Sequence, residues 1–214
     1  MSFVGTFVYV IIGSMCAYAI SRPDYTYRNK IQFYMFFTML FGGGMVPSYI
    51  LFTQVLGLKN TYLALILPLL GNVWFIFLMR TFFQQLPASI IESATIDGAS
   101  EMRIYANIIV PLSTPAIATI GLLQLLNYWN SWFQAMLYID DARLYPLQYL
   151  LQNMLQNMQE TLRSIEKTGM PIGNIPMETV RMAMAIIAIG PILLIFPFFQ
   201  KYFVKGLTVG SVKG

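Results

Sequence analysis

The sequence predicts an all-α protein, a polytopic transmembrane helical bundle with about five spans. Its 214 residues are 57% hydrophobic and only 10% charged, whereas soluble domains carry about 25% charged residues. Several apolar runs approach the roughly 20 residues that an α-helix needs to cross a bilayer. These runs are continuous, whereas a membrane β-barrel would show short alternating segments. We therefore expect a helical membrane protein.

Five apolar runs are the candidate spans of a single transmembrane domain covering 1–214. They occupy 3–20, 31–52, 61–79, 112–139 and 182–200. The first run is interpreted as a span rather than a signal peptide, because no basic region precedes it and Arg22 follows it. Glycines 42–44 and Pro47 interrupt the second run, and neighbouring helices can satisfy the backbone groups that such breakers free. Pro68 and Gly71 predict a kink in the third run.

The distribution of basic residues predicts the orientation of the chain in a cell membrane. We expect the 21–30 connector, a central segment at 81–111 and a tail at 201–214 on the cytoplasmic side, and a loop at 140–180 outside. This choice leaves eight basic residues inside and five outside, in the sense of the positive-inside rule. The C-terminus is then cytoplasmic.

The residues that are missing exclude several functions. No candidate span contains Asp, Glu, Lys or Arg, which argues against an ion-coupled carrier or a channel with a charged ring. The chain has no histidine and a single cysteine, Cys16, so we expect no metal site, no cofactor and no catalytic residue. A phosphate-binding G-x-x-x-x-G-K-[ST] loop is absent, so a partner must supply any energy from ATP. Scattered basic residues indicate membrane lipid rather than nucleic acid.

The fourth run carries a polar stripe. Gln124, Asn127, Ser131 and Gln134 are spaced 3, 4 and 3 apart, so a continuous helix would place them on one face, flanked by Tyr128 and Asn130. One interpretation is a path for uncharged, hydroxyl-rich solutes such as sugars. The other is interhelical hydrogen bonding that holds the bundle together. For Trp132 and Tyr138, anchoring at the membrane interface is the preferred interpretation.

The central segment, with its core at 86–112, is polar between two apolar runs. Pro87 and a capping box of Ser89 and Glu92 predict the start of a short helix. Asp97 and Gly98 predict its end, since glycine accepts a positive φ. A second helix is expected from Ala99 to about Ile109, stopped by Pro111. The physical alternatives are a docking surface for another protein and an amphipathic loop on lipid head groups.

The spacing of this segment resembles a known family. Glu92-Ser93-Ala94, three residues, Gly98, nine residues and then Ile108-x-Val110-Pro111 is similar to the E-A-A-x3-G-x9-I-x-L-P motif of the permease subunits of bacterial ABC importers. Serine and valine replace alanine and leucine. Further stretches at 96–100, 110–115, 128–132 and 200–214 resemble the maltose and multiple-sugar branch, and others at 17–22, 56–68 and 145–151 its oligosaccharide permeases. The resemblance implies the type I ABC importer permease fold.

The resemblance also implies partners and roles. A coupling helix would dock on a dimer of separate ATP-binding subunits, beside a second, homologous permease and below an extracellular solute-binding protein. The implied coupling residues are Glu92, Ser93, Ala94, Asp97, Gly98, Ala99 and Pro111. The tail residues Gly206, Leu207, Gly210 and Gly214 would reach the interface of the ATPase subunits. The residues of the polar stripe would line the substrate path.

Members of this branch typically have six spans, so the sequence is expected to begin at their second. Other functions remain open: a permease for amino acids or another small polar solute, a membrane assembly subunit without transport activity, or a self-contained carrier. The identity of the sugar does not follow from the residues.

Overall fold

The computed structural model describes the backbone of residues 1–168 and 177–210. It describes the side chains of these residues except 165–168, 177 and 200–210. The described part is helical and contains no strand, which confirms the all-α prediction. The helices are α1 (Ser2–Ser21), α2 (Arg28–Leu40), α3 (Met45–Ile50), α4 (Tyr62–Leu70), α5 (Val73–Gln84), α6 (Ala88–Ile96), α7 (Glu101–Ile104), α8 (Val110–Leu112), α9 (Thr114–Trp129), α10 (Trp132–Tyr138), α11 (Leu147–Thr168) and α12 (Met177–Gly210). Single π-helical turns at Leu51–Val55 and Tyr105–Ile109 extend α3 and α7.

Two helices of the described part are long and apolar enough to cross a membrane alone. They are α1 and the Glu178–Phe199 portion of α12. Three bent helix pairs bring the total to as many as five spans. The bends are 110° between α2 and α3, 50° between α4 and α5, and 82° where α8 meets α9. The second run is therefore sharply folded at its glycines rather than straight.

The predicted kink in the third run lies at Gly71 and Asn72. Pro68 is inside α4, and Asn72 begins α5 by accepting a hydrogen bond from the backbone N–H of Phe75 at 3.5 Å. The break leaves backbone carbonyls of α4 available to neighbouring helices. Tyr9 of α1 donates to the carbonyl of Asn72 at 2.7 Å, so α1 is fastened to the bend.

The core lies where α1 packs between α5 and α9. Its buried members include Tyr9, Ile20, Met79, Ile104 and Ile120, each at most 2% exposed. Gly5 lets α1 approach α9 so closely that an added Cβ would lie 2.7 Å from the ring of Tyr128. Because Ile104 belongs to α7, the central segment shares this core instead of resting beside it.

A smaller core joins α4, α10 and the connector before α4. Tyr138 is 3% exposed there, stacked on Tyr49 at 6.2 Å and edge-on to Phe52 at 5.7 Å between ring centroids. The prediction that Tyr138 anchors the protein at the membrane interface is therefore wrong. Its ring fills the contact between two helices.

The segment expected as a loop at 140–180 is largely helical. The 22-residue helix α11 occupies Leu147–Thr168, and a short 3-10 turn precedes it at Ala142–Leu144. Apolar side chains recur at helical spacing in this stretch, with Leu147, Leu151, Leu155 and Met158 among them. The loop glycines and prolines at 169–176 lie outside the described residues.

Candidate functional site

The central segment folds as two short helices around a glycine bend, as predicted. The helix α6 ends at Ile96 with Asp97 as its C-cap, and Gly98 follows with a φ of +78°. No atom lies within 4 Å of the position that a Cβ of Gly98 would take. The glycine is therefore required for backbone conformation, because a left-handed φ is costly for residues with a side chain.

Two details of the predicted segment are wrong. The N-cap position of α6 is Pro87, which makes no side-chain cap, so Ser89 and Glu92 form no capping box. The cap is found one helix later, where the Ser100 hydroxyl accepts from the backbone N–H of Arg103 at 3.4 Å. Pro111 does not stop the second helix either, since α8 continues to Leu112. The π-helical turn before it widens the helix, with the Val110 N–H donating to the carbonyl of Tyr105.

The predicted coupling residues divide into an outer and an inner set. Glu92, Ser93, Asp97 and Gly98 are exposed, and Pro111 is exposed at the far end of the segment. Ala94 and Ala99 are half-buried and pack against the core of the bundle. Their small size therefore serves inward packing as well as the helix bend.

Ile96 is an exposed residue of the same surface that sequence reasoning did not single out. It is 86% exposed, more than any other large hydrophobic side chain of the described part. It lies between Glu92 and Asp97, whose carboxylates form no hydrogen bond or ion pair within the described residues. The Ile96 side chain therefore stands open beside two carboxylates that are available to basic groups. The signal in the sequence was an apolar residue directly before the helix end.

The segment is tied to α1 by side-chain hydrogen bonds. Tyr18 donates to the Glu101 carboxylate at 2.5 Å, and the Ser14 and Tyr105 hydroxyls lie 2.6 Å apart. Arg22 reaches Glu101 at 3.4 Å and Asp24 at 2.9 Å. These bonds attach α7 and the π-helical turn after it to α1, the helix at the centre of the bundle core.

The polar stripe does not lie on one continuous helix. Asn130 and Ser131 separate α9 from α10, so Ser131 and Gln134 lie beyond a break. Gln124 is fully buried and donates to the carbonyl of Leu69 at 2.9 Å. Tyr128 donates to the carbonyl of Ile66, also at 2.9 Å. Both bonds end on backbone carbonyls of the bent helix α4.

The other members of the stripe have different surroundings. Ser131 is buried and donates to the carbonyl of Tyr128 at 2.7 Å. Asn127 and Gln134 are half-buried, and their amides have no hydrogen-bond partner within the described residues. Asn130 is exposed and lines a cavity between α10, α11 and α12. Within the part of the chain that the structure describes, the stripe amides without a hydrogen-bond partner are thus those of Asn127, Asn130 and Gln134.

At the end of the bundle beside α10, Lys59 and Asn60 bind the start of the segment that leads to α11. The side-chain oxygen of Asn60 accepts from the backbone N–H groups of Asp140 and Asp141 at 2.5 and 3.2 Å. Asn60 has a φ of 58°, which asparagine tolerates better than most residues. The Lys59 ammonium lies 2.7 Å from the Asp140 carboxylate, and this hydrogen bond and charge raise the pKa of Lys59. These hydrogen bonds and this ion pair fix the point where the chain turns from α10 towards α11.

The tail continues α12 without a break. Gly206, Leu207 and Gly210 lie in the last turns of this helix, while Gly214 lies outside the described residues.

Comparison with known proteins places these features in one family. Over 212 residues the chain is 41% identical to the polygalacturonan/rhamnogalacturonan transport system permease protein YtcP of Bacillus subtilis, covering 99% of this chain and 73% of that protein. It is 33% identical to the trehalose/maltose transport system permease protein MalG of Thermococcus litoralis, covering 98% and 71%. A crystal structure of a bacterial ABC transporter that imports the acidic polysaccharide alginate is 31% identical and superposes with a TM-score of 0.73 over 94% of this chain and 74% of that one.

The match to the family itself covers nearly the whole chain. Residues 9–209 fit the family described as binding-protein-dependent transport system inner membrane component. This range includes the whole segment from α6 to α8 and the bent helix pairs that surround α1. The chain therefore belongs to the inner membrane permease components of binding-protein-dependent ABC transport systems.

Proposed function

We propose that this chain is one of two permease subunits of an ATP-driven importer for sugars or oligosaccharides. The observation that carries the proposal is the surface of Glu92, Ile96 and Asp97, exposed on the outside yet fastened to α1 on the inside. Relatives named for transport of trehalose and maltose, and of polygalacturonan, support the substrate class. The chain catalyses no covalent reaction and relies on separate ATPase subunits.

The surface around Ile96 docks in a cleft of an ATPase subunit. The isoleucine supplies apolar contact, and the unpaired carboxylates of Glu92 and Asp97 meet basic groups opposite. The tail residues Gly206, Leu207, Gly210 and Gly214 reach the interface between the two ATPase subunits. This arrangement places α6, α7 and the C-terminus on the cytoplasmic side and α11 on the side of the binding protein.

The proposed movement of the spans follows from the contacts that join α6 and α7 to the rest of the bundle. When the ATPase subunits close, α6 and α7 are carried with them as a rigid pair, because Ile104 and Ala94 are packed into the bundle core. The hydrogen bond from Tyr18 to Glu101 passes the displacement to α1. The bends between α2 and α3 and between α4 and α5 allow the outer and inner halves of these spans to tilt separately. The solute path then opens alternately to either side.

The experiment that tests docking compares two exposed isoleucines in the assembled complex. Ile96→Ala removes apolar contact from the proposed docking surface, and Ile186→Ala removes the same group from α12, where Ile186 is 72% exposed. We expect Ile96→Ala to lower solute-stimulated ATP hydrolysis about tenfold, equivalent to roughly 1.4 kcal/mol of lost docking energy. Ile186→Ala should leave it within twofold. Equal activity of both variants would reject the docking surface.

A second measurement tests the transmission step. Tyr18→Phe removes only the hydroxyl that bonds Glu101, so ATPase binding should persist while solute stimulation of ATP hydrolysis falls several-fold. Copurification of the ATPase subunits with the variant separates a docking defect from a transmission defect. Stimulation that stays at the wild-type level in Tyr18→Phe would show that α1 receives the movement by another contact.

A further inference from the structure

A cavity of about 460 Å³ lies at the end of α9 opposite the coupling segment. The helix α9 begins beside the coupling segment at Thr114 and ends at Trp129, a length of about 24 Å for an α-helix. Residues from the break after α9, from α10, from α11 and from the first turns of α12 line the cavity. Its volume lies in the range of roughly 300–1,000 Å³ that is usual for small-molecule sites.

The lining is rich in carboxamides. Gln148, Gln152 and Gln159 enter it from one side of α11, alternating with Leu151 and Leu155. Spacings of four and then seven residues along an α-helix place these glutamines on a common face. Each carboxamide offers both donors and an acceptor, which matches sugar hydroxyls that also donate and accept.

An aromatic ring and a further amide complete the site from the other side. Trp132 and Asn130 line the cavity where the chain passes from α9 to α10. The position of α12 opposite them is fixed by the indole N–H of Trp129, which donates to the carbonyl of Ala188 at 3.1 Å. A tryptophan face accepts the C–H surface of a sugar ring, while nearby amides bind its hydroxyls.

Arg181 is the one charged residue of the lining. Its guanidinium is paired with Glu178 through a single nitrogen at 3.1 Å, and the two side chains are 45% and 76% exposed. Exposed pairs of this kind contribute little to stability, so a ligand carboxylate can displace Glu178 at small cost. Such a carboxylate can accept two parallel hydrogen bonds from the guanidinium. Among the described residues the lining contains no Asp or Glu, so a ligand carboxylate would compete for Arg181 with Glu178 alone.

We infer that this cavity is a subsite for a sugar unit that bears a carboxylate, with the carboxamides on its hydroxyls and Arg181 on its acid group. The inference rests on the proposed transport of sugars, and it adds the chemical class of one unit. The ligand is an oligosaccharide containing uronic acid residues.

The test uses the complete complex with its binding protein and two matched probes. These are a tetragalacturonate and the same tetrasaccharide with its carboxylates reduced to hydroxymethyl groups, each supplied at saturation of the binding protein. We expect Arg181→Gln to lower uptake of the acidic probe about tenfold and to leave uptake of the neutral probe within twofold. Arg163→Gln, an exposed arginine of α11 outside the cavity, is the control and should change neither.

Two more variants keep the test decisive if Arg181→Gln assembles poorly. Gln152→Leu should lower uptake of both probes, because it removes hydroxyl contacts that both share. Glu178→Gln removes the carboxylate that competes for Arg181, so it should raise uptake of the acidic probe and not of the neutral one. Equal effects of Arg181→Gln on both probes, or no effect of Glu178→Gln on either, would overturn the subsite.

The outcomes also separate this inference from the proposed function. If the wild-type complex takes up the neutral probe but not the acidic one, the subsite is rejected while the proposed import of sugars is retained. An assembled wild-type complex that transports neither probe nor any other sugar, but does transport amino acids, would overturn both.

Discussion

The coupling segment and the polar stripe of α9 both present polar residues at helical spacing, yet the structure uses them in opposite ways. Around α6 the carboxylates of Glu92 and Asp97 are exposed and unpaired within the described residues. In α9 the side chains of Gln124 and Tyr128 are buried and bonded to backbone carbonyls of α4. The difference shows that polar spacing alone does not separate a binding surface from the bonds that hold a bundle together. The surroundings of each side chain decide.

Glycine has a different purpose in each region: Gly5 of α1 gives space to Tyr128 of α9, whereas Gly98 gives the backbone its positive φ. The largest expected effect tests this difference. Gly5→Ala places a Cβ 2.7 to 2.9 Å from three ring atoms of Tyr128, whose hydroxyl is held by the carbonyl of Ile66. Because the ring cannot retreat without losing that bond, we expect the free energy of unfolding to fall by about 1–3 kcal/mol. Thermal unfolding of the purified complex in detergent measures the change.

Gly121→Ala is the matched control on the same helix contact. Its added Cβ would meet Val10 at 3.5 Å, an ordinary van der Waals distance. Alanine also favours a helix interior over glycine by about 0.5–1 kcal/mol, so stability should stay level or rise. A similar loss in both variants would mean that the α1–α9 contact is uniformly tight rather than narrowest at Gly5.

The effect of substituting Gly98 should depend on the backbone conformation that the new residue tolerates, and not on the size of its side chain. Gly98→Val places a β-branched residue at a φ of +78°, which costs about 1–2 kcal/mol and distorts the turn between α6 and α7. We expect solute-stimulated ATP hydrolysis by the assembled complex to fall about tenfold, with bundle stability little changed. Gly98→Asn is the contrasting variant, since asparagine tolerates this conformation, and it should retain most of the activity. Equal loss in both would indicate that the partner surface needs the missing side chain.

Tyr128 distinguishes the two interpretations of the polar stripe. Tyr128→Phe removes a buried hydroxyl without changing the ring, so the carbonyl of Ile66 loses its donor. We expect stability to fall by about 1 kcal/mol, as for other hydrogen bonds between membrane helices. If the residue only holds helices together, the KM for uptake by the complex that remains folded should not change. A raised KM without loss of stability would instead assign Tyr128 to the substrate path.

Much of the architecture could be predicted because membrane solvation imposes a simple rule on sequence. Long apolar runs without charge gave the all-α class, and Gly98 gave the turn that ends α6. The break of the polar stripe at Asn130 was not predictable, because asparagine and serine are also tolerated inside membrane helices. The burial of Tyr138 depends on contacts with Tyr49 and Phe52, which are distant in sequence. Such contacts leave no local pattern.

Helix α11 shows a different kind of limit. Its polar composition indicated a loop, although its leucines already had helical spacing. The cavity became visible only when α11 and α12 were placed side by side, because its glutamines and Arg181 come from separate helices. A site assembled from three helices has no motif of its own.

The smallest expected effect concerns the helix caps of the coupling segment. Ser89 and Ser100 are both exposed serines near a helix start, but Ser100 alone accepts a backbone N–H, from Arg103. Ser100→Ala should therefore cost up to about 1 kcal/mol and loosen α7, whereas Ser89→Ala should be neutral. Hydrogen exchange of the amides at 101–104, compared with those at 88–92, localises the change to one helix. Faster exchange at 88–92 in Ser89→Ala would restore the capping box that the sequence predicted. Unchanged exchange there, together with faster exchange at 101–104 in Ser100→Ala, would show that only Ser100 caps a helix. The hydrogen bond seen in the structure, and not the sequence pattern, would then identify the capping residue.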